Sequence, residues 1–567
     1  MKRLVNLIII TTFCFLAKVE AQSIVTTKHN LSVSGSGTVK ATSETEICLF
    51  CHTPHNSRTV APLWNRNDPA LTYTLYQSSM LNALPGQPDG TSILCLSCHD
   101  GTVALGSVLS RPSAISMTTT GGFLPSGVSN LSQNLRNDHP VSFVYDAALA
   151  TADGQLKPPS GISPPVALKS GKVQCTSCHD PHKNILSDFL VATSVNSNLC
   201  NSCHQRTYWT ASSHSTSTKT WNGTAPDPWP YTQPTMTTVA QNACESCHNP
   251  HNGGSNVMLL KYQAEESNCL DCHNGNAATK NISAQFAKTY KHNITVYTNI
   301  HVANEATQVT NMHVECVDCH NPHAAKNLAA TAPAVNGFLT GVKGINQGGV
   351  AVNPATNSYE VCYRCHAGST GSPASATARV IIQNNTRLEF APGNPSYHSV
   401  AAVGVNTSVP SLLTPWTITS RMYCTNCHAS DGTASPAGPH GSIYPQILKL
   451  RYTKTDGATN SAGTVDNLTN HALCYSCHSR TTIRSDVTFK EHSKHLDART
   501  PCNTCHDPHG ISSTQGNGSN NSNLINFRTG VVTASPGNGA IRFEDLGNNK
   551  GRCYLVCHGE DHDPFSY

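Results

Sequence analysis

Cys175-Thr176-Ser177-Cys178-His179-Asp180-Pro181-His182 is followed, 17 residues later, by Cys200-Asn201-Ser202-Cys203-His204. Working outward from this stretch, the same Cys-x-x-Cys-His unit recurs at Cys48/Cys51/His52, Cys95/Cys98/His99, Cys244/Cys247/His248, Cys269/Cys272/His273, Cys316/Cys319/His320, Cys362/Cys365/His366, Cys424/Cys427/His428, Cys474/Cys477/His478 and Cys502/Cys505/His506. That makes eleven. A twelfth pair, Cys553/Cys557/His558, has three intervening residues. Of the 25 cysteines, only Cys14 lies outside the pattern.

Two thiols at this spacing lie on one side of a tight turn, where both can form thioethers with the vinyl groups of one haem, and the next residue presents an imidazole to the iron. A zinc ribbon pairs Cys-x-x-Cys units but has no need of a histidine after each, and a disulfide scaffold needs no histidine at all. Histidine in register after every pair selects haem c. Twelve are expected, or eleven if Cys553/Cys557 is empty and forms a short-loop disulfide.

The chain is 567 residues long, with 12% charged and 6% aromatic residues, whereas about 25% charged is usual. Gly, Ser, Thr, Asn and Pro fill the intervals between cysteines. Ordering backbone costs about 1–2 kcal/mol per residue, and such intervals are not expected to build a conventional core, so haem faces must supply much of the buried apolar surface. The expected fold is mostly irregular with short α-helices and few strands, an extended multihaem array of haem-pair repeats packed around twelve c-type haems. Short helical turns are expected at the motifs and a helix from Ala284 to Lys291, with 101–138, 325–358, 429–470 and 510–550 as surface excursions.

Lys2 and Arg3, an apolar run from Leu4 to Ala17 and Val19-Glu20-Ala21 read as a secretory signal over 1–21 that carries Cys14 away on cleavage. No later stretch reaches about 18 consecutive apolar residues, so no transmembrane segment is expected after Gln22. Export points to the periplasm, the outer cell surface or the extracellular space.

Seventeen of the 29 histidines remain after the twelve that follow cysteine pairs, enough to place a second axial imidazole on every iron. Methionine, at seven residues, stands in no repeated relation to the motifs, so bis-histidine, comparatively low-potential haems are expected. Five motifs continue as His-x-Pro-His, giving His55, His182, His251, His323 and His509, and Gly438-Pro439-His440 is a looser version beside the ninth. A histidine three residues past the first ligand cannot swing to the opposite face of the same haem. It must serve a neighbour. A second set stands in polar segments: His29, His139, His214, His292, His398 and the His492/His495 pair, with His495 and the C-terminal His562 as ligand candidates. His313, three residues before Cys316, is a further candidate, while His301 and His471 are evenly balanced.

The Pro-His extension alternates: motifs one, three, five, seven and eleven carry it. The 25-residue step from His179 to His204 recurs from His248 to His273. Six two-haem units follow, a quasi-linear repeat, divided into arrays at 22–345 (haems one to seven) and 346–567 (haems eight to twelve). The formal charge of +4 does not point to nucleic acid, because haem propionates would turn the holoprotein net negative, roughly −10 when oxidised.

Lys28-His29-Asn30-Leu31-Ser32, the Cys48 to His55 unit, His313 to His323, Gly438-Pro439-His440-Gly441-Ser442 and Cys557-His558-Gly559-Glu560-Asp561-His562 resemble the doubled-CxxCH multihaem cytochromes of metal-reducing bacteria. The resemblance implies bis-histidine haems in alternating stacked and T-shaped pairs, electron transfer outside the inner membrane, and partners among other multihaem cytochromes or outer-membrane conduits. Some similar proteins assemble with themselves into filaments. The three-residue gap at Cys553/Cys557 departs from the family motif. An electron conduit without catalytic residues is the leading expectation. A reductase of nitrite, hydroxylamine or a sulfur oxyanion, with one open iron, is the alternative, and the altered Cys-x-x-Cys-Lys that often marks such an iron does not occur here.

Overall fold

The computed structural model describes residues 24–58, 63–224, 226–229, 235–297, 301, 305–309, 312–457 and 463–567. The expected signal, with Cys14, lies outside them. The described chain is mostly irregular, with short helices and few strands, as the composition suggested. None of its helices is long and apolar enough to cross a membrane.

Helices form where cysteine pairs sit. Gly90–His99 (α1), Glu265–His273 (α2) and Ser358–His366 (α4) each end on a motif histidine, and Cys316–Cys319 (α3) is a single turn spanning the pair itself. Elsewhere the pair is closed by one helical hydrogen bond, from the histidine N–H to the carbonyl of the first cysteine, at 2.8 Å for His52, 3.0 Å for His179, 2.9 Å for His248 and 2.9 Å for His506. The turn brings both sulfurs to one side.

The chain divides into two compact units, 1–76 with 82–194 and 198–203, and 77–81 with 195–197 and 204–567. Position 345/346, where the sequence suggested a boundary between arrays, lies inside the hairpin that pairs Gly344–Ile345 with Ala351–Val352.

Two sequence expectations are corrected. The helix over 284–291 is only Ser283–Phe286; Tyr290–Lys291 instead pairs antiparallel with Gly441–Ser442. Lys288, whose ammonium meets the Asp431 carboxylate at 2.7 Å, helps to hold the chain against that distant partner, and a four-residue nucleus has too few internal hydrogen bonds to compete. The four supposed excursions also carry buried apolar side chains. Leu135 packs with Tyr73 and Leu96, Val342 and Ala355 with Val361, and Ile345 with Tyr363, Phe390 and Tyr397. Spaced large residues in a polar background suffice for small cores, so haem is not the only source of burial.

The last excursion is the most ordered. Val532–Thr533 (β1), Arg542–Gly547 (β2), Lys550–Cys557 (β3) and Glu560–Ser566 (β4) form an antiparallel sheet, with β2 and β1 along one edge of β3 and β4 along the other. Alternation along β3 turns Leu555 and Cys557 inward onto Phe543, Val532, Phe527 and Ile525.

Candidate haem sites

The sulfurs of successive motifs meet in a regular order. First cysteines pair between an even motif and the next odd one: Cys95 with Cys175, Cys269 with Cys316, Cys362 with Cys424 and Cys474 with Cys502 are each in hydrogen-bonding contact. Second cysteines pair between an odd motif and the next even one. Burial, then a neighbouring thiol, raises Cys51 (Cys98), Cys178 (Cys203) and Cys427 (Cys477), and Cys505 likewise faces Cys557 and Cys553. Within each unit, each motif is therefore linked to the next in sequence order.

The imidazoles form facing pairs. Ring centroids lie 6.0 Å apart for His52 and His182, 6.1 Å for His99 and His29, 6.2 Å for His248 and His323, and 6.2 Å for His273 and His214. The spacing is 6.1 Å for His320 and His440, 6.0 Å for His428 and His509, and 6.3 Å for His506 and His492. Two imidazoles on opposite faces of one iron, with metal–nitrogen bonds of about 2 Å and about 1 Å more from each nitrogen to its ring centre, would stand about 6 Å apart. His292 is the first electrostatic neighbour of His366, and His398 that of His478.

Protonation agrees with this spacing. His99 Nδ1 donates to Ser129 O at 2.7 Å, His179 to Asp188 O at 2.8 Å, His248 to Met258 O at 2.7 Å, His320 to Phe338 O at 3.0 Å, His428 to Gln446 O at 2.8 Å and His506 to Asn523 O at 2.9 Å. A carbonyl only accepts, so Nδ1 carries the hydrogen and the Nε2 lone pair is left to bind metal. Burial lowers His29, His273, His366, His428 and His478 to about 4, and His323, His440 and His492 to about 3, keeping the rings neutral as ligation requires. These residues fit haem.

The accepting carbonyls were not foreseen. Those of Asp188, Met258, Gln446 and Asn523 belong to residues with φ of 46°, 54°, 60° and 54°, a left-handed conformation that is strained outside glycine. Each lies two residues before an apolar residue bridged to the motif histidine: His179 to Leu190, His248 to Leu260, His428 to Leu448 and His506 to Ile525. The sequence signal is a polar or soft residue followed by two apolar ones, as in Asp188-Phe189-Leu190 and Gln446-Ile447-Leu448.

A rule joins the two sets of second histidines. Four Pro-His histidines face the motif two back: His182 of the third faces the first, His323 of the seventh the fifth, His440 of the ninth the seventh, and His509 of the eleventh the ninth. The preceding proline carbonyl holds the lone histidine of the adjacent pair: His29 Nδ1 donates to Pro181 O at 3.3 Å, His214 to Pro322 O at 2.8 Å, His398 to Pro508 O, and His292 to Pro439 O. One Pro-His dipeptide thus orients second imidazoles for two successive haems.

His55 and His251 are exposed, His139 donates to Pro140 O at 3.0 Å, and His313 stacks on Tyr297 at 4.8 Å. His471, 1% exposed, lies edge-on to Tyr475.

The twelfth motif differs throughout. Cys553 and Cys557 lie on an extended strand, where four residues span about 13 Å, far beyond the roughly 4.4–6.8 Å that a disulfide allows between Cα atoms. Extended backbone thus takes the place of the short loop, and both cysteines are free. His558, at φ 52°, gives its Nε2 to the Asp456 carboxylate at 2.7 Å. His562 instead faces His495, near-parallel at 6.5 Å, with Nδ1 of each engaged by Tyr567 Oη and Glu491 O, both at 2.7 Å.

Comparison with known proteins agrees with the motifs. Residues 166–207 match the doubled CXXCH motif, 236–393 the outer membrane cytochrome MtrC/MtrF-like domains II/IV, and 423–507 cytochrome c554 and c-prime. The multiheme cytochrome MtrA of Shewanella baltica (strain OS185) is 24% identical over 373 residues, 64% of this chain and 79% of its own length. The chain is a multihaem c-type cytochrome. When bound, haem iron supplies reversible one-electron exchange. At the motifs with a facing pair, the cytochrome's own residues would hold the iron between two imidazoles and fix the nitrogen that binds; electron transfer is its function.

Proposed function

We propose that the cytochrome carries twelve haems c, seven attached within 22–345 and five within 346–567, and conducts electrons along them in sequence order. Its partners are other multihaem cytochromes or an outer-membrane conduit, in the periplasm or at the cell surface, with metal oxides or electrodes as terminal acceptors. The alternating contact of first and second cysteines carries this reading, because within each compact unit it brings an attachment site against the next, and close haem edges permit hopping without a substrate pocket.

We assign the second imidazoles by the facing pairs, and the last iron to His495 and His562, with His558 outside its coordination. His492, one helical turn before His495 in His492–Asp497 (α5), takes the eleventh haem, which has no later Pro-His to serve it. Haem counting by mass and pyridine haemochrome, followed by redox titration with a soluble multihaem partner, tests the proposal. Twelve haems that fill and empty reversibly are expected. A haem that binds nitrite or hydroxylamine and turns it over would favour the reductase.

A further inference from the structure

His301 and His313 meet, with ring centroids 6.0 Å apart, at the point where the sixth, seventh and eighth motifs converge. We infer that His301, Glu305, His313 and Asp318 bind one divalent first-row cation of the zinc class, distinct from the haems. One donor atom from each lies within 4.8 Å of the others. His313 Nε2 is 3.4 Å from one Glu305 oxygen and His301 Nε2 4.0 Å from the other. Donors around a tetrahedral zinc stand about 3.3 Å apart, so the cluster needs only a small contraction to close on an ion.

Three further observations point to a ligand. Glu305 Oε2 and Asp318 Oδ1 are buried without a hydrogen-bond partner, and Asp318 as a residue is 5% exposed. Such atoms are costly unless something satisfies them. Next, the only guanidinium among the described residues that reaches these two oxygens is that of Arg364, 3.2 Å from Asp318 Oδ1 and 3.6 Å from Glu305 Oε2, and the Glu315 carboxylate beside them pairs with His301 alone among the described ion pairs. A buried excess of negative charge calls for a cation. Last, His301 is oriented as metal-binding histidines are: Nδ1 lies 3.0 Å from Glu315, which is itself fixed as the N-cap of α3, so that Nε2 is turned to Glu305. Two imidazoles with two carboxylates suit zinc better than calcium or magnesium, which prefer oxygen alone.

The site's neighbours suggest what the ion does. Asp318 stands between Cys316 and Cys319, and Arg364 between Cys362 and Cys365, so a divalent charge here would favour the reduced form of the seventh and eighth haems. The test is calorimetric titration of the EDTA-dialysed holoprotein with Zn2+, with zinc and haem iron counted by mass spectrometry. One zinc per chain is expected. His301→Ala with His313→Ala should weaken it at least about tenfold while the Soret band and haem count stay unchanged; Glu305→Gln, which preserves shape, should act in the same direction if the double variant loses haem. No uptake by the wild-type chain, or equal affinity in folded variants, would overturn the site.

Discussion

The eleven Cys-x-x-Cys-His motifs and the C-terminal sheet solve the same problem by different means. At the motifs one helical turn gathers two thiols and an imidazole, a carbonyl further along the chain fixes six of the rings, and a histidine from elsewhere in the same compact unit faces seven of them. At the sheet, Phe543, Leu555, Val532 and Ile525 make an ordinary apolar cluster, and the last cysteine pair rides on a strand whose register is set by side-chain alternation. Where cofactor chemistry dictates local geometry the chain can be polar and irregular; where the spacing is altered, side-chain burial takes over and the following histidine meets Asp456.

The largest expected effect tests the repeats. His182→Ala should turn one iron high-spin, and adding His52→Ala should disturb no second iron, whereas His179→Ala with His182→Ala should disturb two. Electron paramagnetic resonance of the oxidised variants counts them, and two irons disturbed in the first double variant would break the pairing. The sheet is tested next. His562→Ala should open the last iron to exogenous cyanide, while His558→Ala should leave its low-spin signal intact; the reverse would restore His558 as the ligand.

Smaller effects sharpen the contrast. Phe543→Ala should cost about 3–5 kcal/mol and, by hydrogen exchange, loosen β2 and β3 while the repeats keep their protection, since their turns do not draw on that cluster. Glu389 accepts from His509 Nδ1 at 2.9 Å and makes that imidazole a stronger donor to iron. Glu389→Gln should therefore shift one haem to higher potential in spectroelectrochemistry and leave the spin state alone.

Much of this was legible from residues alone. Cysteine spacing reads directly as attachment chemistry, and a histidine three residues past a ligand is sterically barred from its own haem. The partner was not legible, because facing His182 to His52 depends on folds of chain over more than a hundred residues that carry no local signature. Composition misled at 510–550 for a similar reason: an average over Gly, Asn and Ser hides that Ile525, Phe527 and Phe543 are spaced to meet. The helix over 284–291 failed because propensity in a short segment yields to pairing with Gly441–Ser442. The Pro-His dipeptide could be seen, but the use of its proline carbonyl required the fold.

Electron paramagnetic resonance of the fully oxidised protein, with haem counted beforehand, tests the central claim most directly. Facing rings are near-parallel at the first, fifth and seventh motifs, with interplanar angles of 16°, 8° and 15°, and steep at the second and sixth, at 61° and 88°. Parallel rings split the iron d orbitals and give rhombic low-spin signals, while crossed rings leave them nearly degenerate and give strongly anisotropic ones. Both low-spin classes together, with no high-spin iron, are the predicted result. A high-spin signal of one iron per chain would contradict the account.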